Sequence, residues 1–178
     1  MADFTTKLGS HFHGPLKPAP VTDTRIRVDL LEGTRQLVWP FLSNTDFWLG
    51  RLDASILTDA SVYTVWRRRD KGDVPYSITE LAADLADRQV DRDTISEDVE
   101  AAIRHFASTG TSIPANPVPV IIEDCMGEHL LVLEGNRRLT GLVLGGKASS
   151  SDIEVYAGHT WLSWWAMLAR LGMSYRAG

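Results

Sequence analysis

The sequence predicts an α+β fold, a small mixed β-sheet with packed helices, from three features. Two apolar runs, 117–123 and 129–133, bracket a short turn as the strands of a buried hairpin do. Ahead of them, Ser77 with Glu80 and Thr94 with Glu97 each place a hydroxyl three residues before a glutamate, the pattern that starts a helix. After them, Glu134-Gly135-Asn136-Arg137-Arg138 turns the second strand into an amphipathic helix.

Bulk properties narrow the class. The 178 residues, 44% of them hydrophobic, suit a single domain, expected over 25–178 behind an extended arm at 1–24. A net charge of −5 gives no broad cationic field, so general nucleic-acid binding is not expected. Cys125 is the one cysteine, which excludes an internal disulfide and a Cys-rich zinc site. Residues 1–10 lack the apolar stretch of a secretion signal, and no run approaches the ~20 apolar residues of a membrane span. The expectation is a cytoplasmic protein with no membrane contact.

In chain order, Gly14, Pro15, Pro18 and Pro20 punctuate the arm, where His11 and His13 flank Phe12 without further metal ligands nearby in sequence. Ile26, Val28, Leu30 and Leu31 suggest a strand, and Trp39, Phe41, Phe47, Trp48 and Trp66 offer aromatic core. Arg67-Arg68-Arg69 beside Trp66 has the make-up of a phosphate contact but reads first as a solvated face. Ile95, Val99, Ile103 and Phe106 form a helical stripe that ends before Gly110 and should lie on the sheet. A helix over 137–144 turns Leu139, Leu142 and Val143 inward, Gly145 and Gly146 break it, and a last strand covers 153–156. Trp161, Trp164, Trp165 and Leu168 then fall at helical spacing, which predicts a final helix with its tryptophans in the core.

The chemistry concentrates at residues 134–138. Gly135 permits a sharp turn, Asn136 is a favoured helix cap, and the free amides and positive dipole end beyond it suit an anion. Arg137 and Arg138 add guanidinium donors, about 100° apart on a helix, so that one faces a given pocket. Arg138 is the expected ligand, because its planar fork can take two phosphate oxygens together. Glu134 has three open roles, as partner to an arginine, as ligand to Mg²⁺ shared with phosphates, or as a catalytic base.

These residues resemble the ParB/sulfiredoxin superfamily, whose members share a hairpin, glycine-centred turn, helix and further strand in this order. The likeness covers roughly 95–156. Gly135, Arg137 and Arg138 match the Gly-Glu-Arg-Arg signature of ParB-type nucleotide pockets, and Asn136 stands where those have glutamate and sulfiredoxins have their nucleophilic cysteine. Glu134, Gly135 and Arg138 are also similar to the Asp-Gly-His-His-Arg motif of free-serine kinases in the superfamily. The resemblance implies nucleotide binding, ATP or CTP with Mg²⁺, through Gly135, Asn136, Arg137 and Arg138. It further implies hydrolysis or phosphoryl transfer with Glu134 on metal or as base, and no sulfinic-acid reduction. The short remainder after Tyr156 leaves no room for ParB's helix-turn-helix, so a partition role is not expected. Two alternatives stand beside it. One is a non-catalytic phage or mobile-element accessory, dimeric or partner-bound through Trp161, Trp164 and Trp165; the other is a ParB-like nuclease accessory.

Overall fold

Apolar side chains on both alternating faces of a strand demand cover on both sides, and the computed structural model of this chain has that arrangement. The structure describes residues 7–13, 18–19, 39–110 and 118–173. The strand expected around Ile26 to Leu31 lies outside them.

Among the described residues eight strands form one mixed sheet: β1 (Phe12–His13), β2 (Pro18–Ala19), β3 (Thr45–Asp53), β4 (Val62–Arg68), β5 (Val74–Ser77), β6 (Val120–Glu123), β7 (Leu130–Glu134) and β8 (Asp152–Thr160). Their order is β1-β3-β8-β6-β7-β4-β5, with β2 also on β3. The expected hairpin is β6–β7, antiparallel with Val120 opposite Glu134 and Glu123 opposite Leu130. It sits at the centre because β6 runs parallel to β8 and β7 parallel to β4. Pairing with β3 along its whole length makes β8 longer than its apolar segment suggested.

Among the described residues five α-helices pack around the sheet: α1 (Lys7–Ser10), α2 (Ile78–Ala86), α3 (Glu97–Thr109), α4 (Asn136–Leu144) and α5 (Trp164–Arg170). On one face Ile121, Leu130, Val132 and Val155 meet Leu139 and Leu142 of α4 and Ile78 of α2. On the other, Val120, Ile122, Leu131 and Leu133 meet Trp164, Met167 and Leu168 of α5. Leu8 of α1 is buried in the first cluster and β1 pairs with β3, so this part of the expected arm belongs to the folded unit. Among the described residues no helix is long and apolar enough to cross a membrane.

Several sequence expectations need correction. The Ser77–Glu80 box is present, but α3 is capped by Ser96, which accepts from the Val99 amide at 3.4 Å. Thr94 is engaged before the helix starts, donating its hydroxyl to the Arg67 carbonyl at 2.8 Å. The stripe of α3 packs largely on helices, with Ile103 buried beside Leu81 and Leu85 of α2, and it reaches the sheet at Tyr76 of β5. Of the three C-terminal tryptophans only Trp164 is core; Trp161 precedes α5 and is 70% exposed, and Trp165 is 52% exposed. The helix begins later than the spacing implied, which removes Trp161 from its stripe.

Candidate functional site

β7 ends at Glu134, and Gly135 reverses the chain with φ 87° and ψ 10°. This left-handed backbone favours glycine, and a Cβ there would lie 2.8 Å from the Cβ of Pro119. Gly135 also occupies the N-cap position of α4, with no side-chain hydrogen bond closing the helix start. The expected cap, Asn136, is instead the first helical residue. Its side chain is buried and its Oδ1 accepts the Val65 amide of β4 at 3.2 Å, which ties α4 to the sheet. A central strand supplies a donor that a local cap does not need, so tertiary contact takes Asn136 from the role its residue type suggested.

The two arginines part as the helical period requires. Arg137 is exposed, whereas Arg138 is half-buried with its guanidinium carbon 5.9 Å from the centre of the Phe106 ring. Phe106 reaches this place because α3 crosses α4 at Gly141, where a Cβ would stand 2.6 Å from the Phe106 Cβ and 2.8 Å from the Ile103 carbonyl. Burial lowers the Arg138 pKa and the Glu134 carboxylate opposes that shift. An arginine remains cationic under either influence.

Glu134 is partly exposed at the end of β7. A second carboxylate does not reach it from β3: Asp46 is opposite His159 on β8, and His159 is opposite Glu123, at the far end of β6 from the Val120–Glu134 pair. Glu97 is exposed at the start of α3. Among the described residues no group of three His, Cys, Asp or Glu side chains is placed to hold a metal ion, so Mg²⁺ would depend on Glu134 together with a ligand's own phosphate oxygens. Arg67 and Arg68 are engaged internally, Arg67 donating to the Leu171 carbonyl at 2.7 Å and Arg68 pairing with Asp70 at 2.9 Å and lying over Tyr76. Arg69 is exposed.

The far end of β6 holds a cluster that sequence reading missed. Glu123 and Asp124 are buried, at 0% and 1% exposure, and each meets a histidine. Asp124 Oδ2 lies 3.0 Å from His129 Nδ1 while its Oδ1 accepts the Glu128 and His129 amides, and the His129 ring stacks on Trp164 at 4.8 Å. Glu123 Oε1 accepts the Leu8 amide of α1 at 2.9 Å, and its Oε2 is 3.5 Å from His159 Nδ1. Its pairing with the Glu123 carboxylate raises the His159 pKa; burial opposes the shift, and the charges of Asp124 and Asp46 add to it. The signal was available: two consecutive acids closing a strand apolar on both faces must be buried, and buried carboxylates need donors or cations. Strand alternation turns the two pairs to opposite faces, with Glu123 and His159 on the α1 side and Asp124 and His129 on the α5 side.

Set against known proteins, the chain matches no family model, no curated protein and no solved structure.

Proposed function

We propose that this chain binds a phosphate-bearing ligand, in the first instance a nucleotide, at the turn from β7 into α4. The observation that carries the reading is a helix start closed by a left-handed glycine with no side-chain cap, flanked by an exposed and a half-buried arginine. Such a start offers amide donors and the positive dipole end to an anion, and guanidinium groups add directional charge. Phe106 beneath Arg138 limits the directions that guanidinium can take, which lowers the entropy cost of ordering it on a ligand. The sequence of hairpin, glycine turn, helix and strand supports a ParB/sulfiredoxin-like core as part of this proposal. In that setting Glu134 would share Mg²⁺ with the phosphates or serve as base for hydrolysis or phosphoryl transfer.

Isothermal titration of ATP, CTP and GTP, with and without Mg²⁺, tests the site. Arg137→Ala and Arg138→Ala are each expected to weaken binding by tenfold or more, roughly the loss of one charge-assisted contact. Equal, weak heats from all three proteins would remove the proposal. Phosphate release that disappears in Glu134→Gln while affinity is kept would assign the carboxylate to turnover.

A second reading rests on the surface formed where Trp161 and Met126 are each 70% exposed and Trp165 52% exposed. The β6–β7 turn is tied to the segment before α5 by the Cys125 amide donating to the Leu162 carbonyl at 2.9 Å, which brings these apolar groups into one region. We propose a protein partner or second copy here if light scattering shows assembly that Trp161→Ala with Trp165→Ala abolishes.

A further inference from the structure

We propose that 7–13 form a pH-sensitive strap whose seat is the buried Glu123 and whose release follows loss of the proton on His159. The strap lies at the opposite end of β6 from the arginine turn, so it stands or falls separately from the phosphate reading.

Its geometry is a chain of buried contacts. Leu8 is 2% exposed in the core, and its amide gives Glu123 Oε1 a donor at 2.9 Å. A carboxylate with no exposure is tolerated as an anion when donors and a cation surround it. The cation is His159, 3.5 Å from Oε2, whose side chain retains 28% exposure and so exchanges protons with solvent. With His159 neutral, the buried Oε2, which accepts no hydrogen bond among the described residues, loses the cation beside it, and opening the strap to admit water becomes the relief.

The other charged groups around this seat place the switch on His159. From β3, Asp46 faces His159 in register, and from β6 Asp124 adjoins Glu123; both are acids that favour the imidazolium. On α1, Lys7 is bound to Asp59 at 2.8 Å and to the Ser61 hydroxyl at 2.6 Å. Hydrogen bonds from Lys7 and Ser61 hold Asp59 down at about 2, so that contact stays charged across the neutral range. His11, after α1, lies 3.8 Å from Asp53, toward the β1 side. His129 faces Asp124 on the other side of the sheet.

His159 has its folded pKa above its unfolded value, so its contribution is complete below the ordinary histidine range and is lost as pH rises through the raised value. The strap is therefore closed in mild acid and loosened in mild base.

Hydrogen exchange of the Leu8 amide in the full chain, corrected for intrinsic base catalysis, reads the device directly. Protection is expected to fall roughly tenfold between about pH 6 and about pH 9. Glu123→Gln keeps an acceptor and removes the charge, so its protection should be the same at both pH values. His159→Gln should be weakly protected throughout. Unchanged wild-type protection across the range overturns the proposal with no variant needed, and so does a pH step of equal size in Glu123→Gln.

Discussion

At the Val120 end of β6 the chain turns through Gly135 into α4, with Arg137 in solvent and the helix start uncapped by any side chain; at the Glu123 end two carboxylates lie under cover, each facing a histidine. Both ends concentrate charge on the same central strand. They differ in where the polar groups find their partners. The first end presents Arg137 to solvent with Arg138 half-buried behind it, while the second holds its acids under cover beside histidines, as a clasp does. Residue type alone would rank the arginine turn as the reactive end, yet the larger structural penalties belong to the closed end.

Substitutions can break or sharpen that contrast. The largest effect is expected from Asp124→Ala, which strands the Glu128 and His129 amides and the His129 ring; a loss of about 3 kcal/mol should appear in urea denaturation. If that variant melts no earlier than a surface change, the closed end is not a clasp. Gly135→Ala comes next at about 2 kcal/mol, since it combines a positive φ with a contact to Pro119, and thermal melting will read it. Asn136→Ala leaves the Val65 amide without its acceptor and should cost about 1 kcal/mol by the same measurement. Arg137→Ala should shift stability by no more than about 0.5 kcal/mol while phosphate binding drops. Stability lost in Arg137→Ala beyond that in Asn136→Ala would mean that the outward end is structural after all.

Much of the fold was legible because it rests on short-range pattern. The β6–β7 hairpin, the Gly135 turn, α4 and the Ser77 box each follow from spacing within a few residues, and each is present. Three errors share one origin. Residue type makes Thr94 a cap, but the Arg67 carbonyl holds its hydroxyl; it makes Asn136 a cap, but Val65 holds its Oδ1; spacing makes Trp161 core, but α5 begins after it. In each case a distant strand or a shifted helix start outbid a local preference. For the site, Gly135 and the two arginines were legible as a group, whereas the place of Asp46 depends on strand pairing, and β3 carries it to His159 and away from Glu134.

By itself the sequence determined the β6–β7 hairpin, the helix after it and that residues 134–138 join one to the other. Periodicity and glycine's backbone freedom act over a few positions and need no neighbour. Tertiary structure alone decided that Leu8, Glu123 and His159 meet, that Arg138 rests on Phe106 while Arg137 does not, and that one tryptophan of three is buried. Those outcomes depend on strand order and on which helix covers which face, contacts between residues far apart in the chain that no local spacing encodes.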